Sequence, residues 1–320
     1  MYALIPLLLG FILDLIIGDP HSIPHPVVLI GKLISFLEKA MRKIFPKTVR
    51  GENIAGLFIW LLTVSVSFLV PFGILFLAGR VSPYLSLIIE SLMIAQILAT
   101  KSLKDESMKV SDAVKTGDIE LSRKAVSMIV GRDTAELDFS AVTRAACETV
   151  AENTSDGVIA PLLFIILGGA PLGFLYKAVN TMDSMLGYTE MPYKNVGLVP
   201  AKMDDFFNYL PARISALVML LSGALLKKDV KNGWKIFVRD RYNHASPNSA
   251  QTESVMAGLL NLRFAGDAYY HGVLHKKKYI GDNNREIEVE DIERSCSIMQ
   301  LTALLSLLIF GGIKALILLL

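Results

Sequence analysis

Long apolar runs separated by dense polar clusters organise this chain. The longest, Ile54 to Ala78 and Ser297 to Leu320, are each long enough to span a hydrocarbon core of about 30 Å at roughly 1.5 Å per residue, so both are read as transmembrane helices. Shorter runs at Ala3 to Ile17, Tyr84 to Thr100, Val158 to Val179 and Ile214 to Leu226 fit partial spans or buried helices as well as full crossings. Gly168-Gly169-Ala170-Pro171 predicts a break of the third of these into two half-helices, a backbone tolerated at membrane depth where it is buried in protein or lines a cavity. Between the runs, Asp118 predicts a helix to about Val130, closed by a left-handed Gly131, and Asp138 predicts another through Arg144 to Asn153. Ser246-Pro247 places a cap and a first-turn proline before a helix through Val255 to Leu260. No alternating strand pattern of useful length appears, and no solenoid repeat. Lys276 to Arg294 reads as a charged surface loop or short helix. The expectation is all-α: one membrane-embedded domain, residues 1–320, polytopic, with polar helices and loops facing the cytoplasm.

Composition agrees with that pattern. Hydrophobic residues make up 52% of the chain and the mean hydropathy is +0.48, which points to a lipid bilayer. A formal net charge of +2 argues against a nucleic-acid partner. Cys147 and Cys296 lie far apart without metal-type spacing, so neither a disulfide framework nor a zinc site follows. The first apolar run lacks a basic lead, carries Asp14 and is followed by Gly18-Asp19-Pro20, so it reads as retained rather than cleaved. Lys39, Arg42, Lys43, Lys47 and Arg50 mark a cytoplasmic side. If every run crosses, Asn180 to Ala212 falls outside; if Val158 to Val179 dips and returns and Ile214 to Leu226 does not cross, all polar clusters share one cytoplasm-facing cavity.

Asp240 to Glu253 is the densest polar stretch, and the helix start expected at Ser246-Pro247-Asn248 turns free N–H groups toward it, a setting that favours phosphate. Arg241 and His244 lie just upstream. Arg144, Glu148, Glu152 and Asp156 recur every four residues; a solvated face with intrahelical ion pairs explains such a row, but this one runs through Asn153-Thr154-Ser155-Asp156-Gly157 into membrane, where hard oxygen ligands suit Mg²⁺. Gly131-Arg132-Asp133-Thr134 adds a cation and a carboxylate, or is only a helix end and turn. Asn180 and Asp183 sit one turn apart, followed by Asp204, Asp205, Asn208 and Arg213, and ionisable residues beside membrane segments are costly unless paired or functional. His21 and His25, among prolines, and His271 and His275, beside lysines, do not read as metal pairs. From residues alone the chain describes a membrane-embedded, Mg²⁺-dependent site for a phosphorylated ligand. Intramembrane prenyl or alcohol phosphotransferases remain a rival, although their usual spacing of aspartates on one helix is missing, and a non-catalytic relative is another.

Taken together these clusters resemble the cobinamide-phosphate synthase family of cobalamin biosynthesis. The resemblance rests on Leu13-Asp14 with Gly18-Asp19-Pro20 and His25-Pro26-Val27, on Gly131 to Thr134, on Glu148 to Gly157, on Asn180 to Met185, on Asp204-Asp205-Asn208 with Pro211-Ala212-Arg213, and on His244, Ser246-Pro247-Asn248, Glu253 and Met256-Ala257-Gly258. Where Ala-Gly-Trp-Pro is expected after Ser-Pro-Asn, this chain has Ser249-Ala250-Gln251-Thr252. The resemblance implies an ATP-dependent acid–amine ligase that joins adenosylcobyric acid to aminopropanol phosphate or a related amino alcohol, at the cell membrane, with the active site facing the cytoplasm. General phosphoryl-transfer requirements then suggest Glu148, Glu152, Asp156 and Asp183 for Mg²⁺, Arg132, Arg213 and Arg241 as phosphate clamps, and His244 as a base, with Asp133 beside Arg132. Ser246, Asn248, Asn153, Asn180 and Asp205 complete the expected substrate-binding set. Oligomeric state and preferred amine stay open.

Overall fold

The computed structural model describes residues 4–19, 25–188, 190–270 and 272–320. Ala3, Pro20, His21, Pro24 and His271, which entered the reading above, lie outside the described residues. Within these, five helical stretches are long and apolar enough to cross a membrane: Val49–Val81, Pro83–Lys115, Phe139–Leu186, Leu198–Leu225 and Glu290–Leu319. The chain is an all-α polytopic membrane protein. It divides into two compact units interleaved in sequence, one of Met1–Ala99, Ala160–Asn208 and Phe310–Leu320, the other of Thr100–Ile159 and Tyr209–Ile309.

In the first unit, α1 (Ile5–Ile17) packs on α4 (Pro83–Ile97), while α2 (Pro26–Ile44) and α8 (Ala160–Leu186) pack on α3 (Val49–Val81). On α3 the buried positions Gly51, Ala55, Ile59, Thr63, Ser67 and Pro71 recur every four residues, and Leu61, Leu69, Phe72 and Leu77 are exposed. Lipid is as apolar as leucine, so a helix in it packs through small residues that admit close approach. The break expected in α8 is present: Gly168 has φ −146° and ψ 28°, and Gly169 has φ 69° and ψ −165°. Two charged side chains serve the ends it creates. Glu90 Oε1 accepts from the Ala170 N–H at 3.3 Å, and Lys314 Nζ donates to the Ile166 carbonyl at 2.5 Å. Each charge complements the dipole end it meets.

The second unit is built around α11 (Ser249–Leu260), all of whose residues are buried. It contacts α7 (Phe139–Asn153), α10 (Val230–Asp240) and two short strands. Gly258 and Gly233 let the backbones of α11 and α10 approach closely. Left-handed Asn261 (φ 58°) closes α11, and Asn232 Nδ2 donates to the Gly258 carbonyl at 3.0 Å and to Asn261 Oδ1 at 2.9 Å. Just beyond, buried Asp291 accepts from Arg285 at 2.6 and 2.7 Å and from Arg294 at 2.7 Å, while Arg285 Nε donates to the Leu260 carbonyl at 3.0 Å. This ties the start of α12 (Glu290–Leu319) to the end of α11.

Local expectations fare unevenly. Asp118 does cap α6 (Ile119–Ser127), accepting from Glu120 and Leu121 N–H at 3.0 and 3.1 Å, and Asp138 caps α7 from Ala141 N–H at 2.7 Å. But α6 ends three residues earlier than expected, and Gly131 is not left-handed. α11 starts at Ser249, with Asn248 at the cap position, so Pro247 precedes the helix rather than opening it. The largest departure lies mostly before the charged insert expected at Lys276 to Arg294, where two short antiparallel pairs form, β1 (Arg263–Ala265) with β4 (Tyr279–Gly281) and β2 (Ala268–Tyr270) with β3 (Val273–His275). Three residues per strand are too few for alternation to show in sequence.

A Cβ at Gly258 would lie 2.6 Å from Gly233 Cα and 2.7 Å from the Asn232 carbonyl oxygen, backbone atoms that cannot swing aside. Gly258→Ala is therefore expected to destabilise the protein by about 1–3 kcal/mol, seen as a lower Tm of the detergent-solubilised chain. An unchanged Tm would contradict the close approach.

Candidate functional site

A narrow polar cleft in the second unit is lined by Arg132, Glu148, His244, Glu253, Lys277 and the Ala265-Gly266 turn. Glu148 is its keystone. Projecting from buried α7, it pairs through Oε2 with Arg132 and accepts the Ala265 N–H on Oε1 at 2.6 Å. Ala265 is left-handed (φ 60°) and is followed by Gly266 (φ 88°), the turn from which β2 departs. The Arg132-Asp133 segment is tied down by the same strands: Asp133 N–H donates to the Tyr269 carbonyl at 2.9 Å, and Asp133 Oδ2 accepts from Gly272 N–H at 2.7 Å. Lys277 reaches the cleft from the β3–β4 connection, its Nζ donating to the Tyr270 hydroxyl at 2.7 Å and lying 4.6 Å from that ring's centre.

One turn beyond Glu148, Glu152 Oε1 accepts from the Ser249 hydroxyl at 2.8 Å. His244 Nδ1 accepts the Ser246 N–H at 3.1 Å, which leaves the ring proton of the neutral form on Nε2. Burial holds this imidazole below its ordinary pKa, against the pull of Glu152. The ring is thus neutral at neutral pH and offers a donor rather than a free lone pair. That geometry does not suit the base expected of it. Glu253, only 5% exposed, is held well above the usual carboxylate range by burial and then by the charges of Glu152 and Glu148.

The Ser246-Pro247-Asn248 turn is built differently from expectation. Ser246 Oγ accepts from Asn248 N–H at 3.2 Å, and Arg213 donates to Asn248 Oδ1 at 3.1 Å and to the Pro247 carbonyl at 3.4 Å. Arg213 also stacks 3.5 Å above the Tyr209 ring. Its guanidinium therefore clamps the turn itself. Gln251 Nε2 adds bonds to the carbonyls of Pro247 and Arg241, at 3.0 and 3.1 Å. The Arg241 guanidinium lies about 5 Å from the rings of Phe237 and Tyr242.

Asn180, Asp183 and Asp205 belong to the first unit. There Asn180 donates to Asp204 at 3.4 Å, Asn208 to Asp204 at 3.0 Å, and the Tyr176 hydroxyl to Asn208 at 2.6 Å. Asp204, not Asp205, is the buried carboxylate of this network. A cavity of about 390 Å³ in the same unit, lined by Leu29, Leu33, Val66, Val70 and Phe174 with only Ser67 and Gln96 as polar groups, suits apolar matter rather than phosphoryl chemistry.

The fit to Mg²⁺ differs among the expected ligands. Glu148 does not fit, because both oxygens already hold donors. Glu152 keeps one oxygen uncommitted, and half-buried Asp156 follows on a π-helical turn (Thr154–Ile159) whose wider winding shifts it off the row of Arg144, Glu148 and Glu152. Asn153 turns its amide nitrogen to the Thr149 carbonyl at 3.0 Å. These groups fit a cation that keeps waters and arrives with substrate phosphates. Sequence reasoning missed Glu253 and Lys277 as site residues. Glu253 carried a faint signal, an acid inside a helix otherwise of small and apolar residues; Lys277, one of three consecutive lysines, carried none.

With this geometry in hand, comparison with known proteins gives a consistent picture. The family model described as CobD/Cbib protein matches residues 7–299. Similar curated proteins include cobalamin biosynthesis protein CobD of Clostridium perfringens, 47% identical over 306 residues and 96% of each chain. CobD of Streptococcus sanguinis is 44% identical over 308 residues, covering 96% of each chain. Cobalamin biosynthesis protein CbiB of Salmonella choleraesuis is 43% identical over 302 residues and 94% of each. No solved structure matches the chain.

The raised Glu253 pKa carries a stability consequence of definite sign. Unfolded, this carboxyl ionises near 4.5; folded, it keeps its proton to higher pH, so stability is lost as pH rises above that range. Glu253→Gln removes the cost. Its Tm is expected to exceed that of the parent chain at pH 8, with the difference shrinking toward pH 5. A difference that is constant or reversed across that window would contradict the assignment.

Proposed function

Because the chain belongs to the CobD/CbiB family, we propose that it is an adenosylcobinamide-phosphate synthase of cobalamin biosynthesis. In this reading it joins the carboxylate of adenosylcobyric acid to the amine of aminopropanol phosphate, or of a related amino alcohol, in an ATP-dependent ligation. A carboxylate is a poor acyl donor to an amine until its oxygen becomes a leaving group. The γ-phosphoryl group of ATP passes to that oxygen and ADP departs; the ammonium gives up a proton to become the free amine, which attacks the acyl carbon, the C–O bond to phosphate breaks, inorganic phosphate leaves with that oxygen, and a second proton is lost from nitrogen as the amide forms.

The observation that carries this reading is the second unit's cleft, where a neutral imidazole and two cations meet carboxylates in a buried setting. Donors fixed before reaction stabilise developing charge strongly in such a setting. His244, held by Ser246, presents Nε2–H to phosphoryl or acyl oxygens. Arg132 is oriented by Glu148, and Arg241 stands at the end of α10 as a further phosphate contact. Arg213 acts at one remove, by fixing the turn that carries Ser246 and Asn248. Mg²⁺ brought with the nucleotide would neutralise its phosphates, and Glu152 and Asp156 are the oxygen donors this chain offers it. In this reading the cleft faces the cytoplasm, where the nucleotide is.

Purified protein supplied with ATP, Mg²⁺, adenosylcobyric acid and aminopropanol phosphate is expected to form the amide product, followed by chromatography of the corrinoids; absence of product under these conditions would refute the ligase reading. His244→Ala is expected to lower kcat by roughly 10²–10³-fold, the loss typical of one such donor. Unchanged turnover would remove His244 from the reaction. Glu152→Gln and Asp156→Asn are expected to raise the Mg²⁺ concentration needed for half-maximal rate, and full activity of both at limiting Mg²⁺ would exclude them as its ligands.

A further inference from the structure

Of the four charged side chains that line the cleft, Arg132, Glu148, Glu253 and Lys277, three have a hydrogen-bond partner among the described residues. Arg132 and Glu148 hold each other, Ala265 N–H takes the second Glu148 oxygen, Ser249 takes Glu152, and the Lys277 ammonium is held by the Tyr270 hydroxyl. Glu253 is the exception. Its side chain lines the cleft, is 5% exposed, and accepts no hydrogen bond among the described residues. A buried carboxyl in that state lacks the partner that would stabilise its charged form. Such an arrangement is retained where a ligand completes it.

Size and charge define that ligand. The cavity beside Glu253 is about 20 Å³, room for one water-sized group. Arg132 is taken up by Glu148, and burial keeps the proton on Glu253, so a small cation entering this space would supply the partner that lets Glu253 stand there as a carboxylate. We propose that Glu253 is the seat of the substrate's primary ammonium group, the residue that selects an amine over a hydroxyl at the acyl-accepting end of the small substrate. The assignment rests on the ligase reading above and adds the residue that reads the nucleophile. Its neighbours support it: Gln251 and Thr252, two residues and one residue earlier on α11, are fully buried and fix the helix against the Pro247 and Ser249 carbonyls, so Glu253 is presented from a rigid element.

The test compares two ligands on the full chain in detergent by titration calorimetry: aminopropanol phosphate, and the analogue with a hydroxyl in place of its ammonium. The parent protein is expected to bind the amine about tenfold or more tightly, the scale of one hydrogen bond between charged groups. Glu253→Gln should abolish that preference and leave the affinity for the hydroxyl analogue unchanged, and Glu253→Asp should retain part of it. A retained thermal transition shows that each variant is folded. Preference kept by Glu253→Gln overturns the seat while leaving the ligase reading intact, as does equal binding of both ligands to the parent protein. Failure of the parent protein to bind either ligand overturns both.

Discussion

A buried carboxylate, that of Glu148, is the constraint on which the second unit's cleft depends. Taking it out of water costs several kcal/mol, and the Arg132 pair offsets this only because a further hydrogen bond satisfies the other oxygen. That bond comes from Ala265, whose left-handed backbone is unfavourable by about 1–2 kcal/mol for a residue with a Cβ. The turn at 265–266 is thereby fixed to α7, and the strands that follow carry Tyr270 and Lys277 to the same place. The Arg132 segment is held from two directions, by Glu148 and through Asp133 by the β2–β3 pair. One side chain thus sets the positions of three chain segments far apart in sequence.

Membrane surroundings impose the complementary constraint on the first unit. A backbone broken at Gly168-Gly169 exposes N–H and carbonyl groups that hydrocarbon cannot satisfy. Glu90 and Lys314 satisfy them with charges whose signs match the half-helix ends. In both units, then, ionised side chains are stationed where backbone departs from regular helix. The apolar stripe carries the remainder of the packing.

What could be read from sequence follows the range of the interactions involved. Long apolar runs, the caps at Asp118 and Asp138 and the Gly168-Gly169 break are encoded within a few residues, and each was legible. The strands of 263–281 were not, because three residues do not display a period of two and the pairing that forms them is long-range. Ser246-Pro247 looked like a helix start, yet the chain there is governed by Arg213, more than thirty residues upstream. Glu148 and Glu152 were recognised as chemically important, but spacing cannot tell a metal ligand from the partner of an arginine. Asp204 and Asp205 are adjacent, and only the fold decides which is buried with Asn180 and Asn208.

The charged closure of the α8 break also orders the protein's biogenesis. Ile166 and Lys314 are 148 residues apart, and at ribosomal speeds of about 5–20 residues per second roughly 7–30 s separate their synthesis. Throughout that interval the first half-helix ends in a carbonyl without its ammonium, although Glu90 has long since been made and is ready for the second half. The break is therefore completed from one side during elongation and from the other only after the last helix is in place, which makes insertion of α12 the closing step of the first unit rather than an appendage to it.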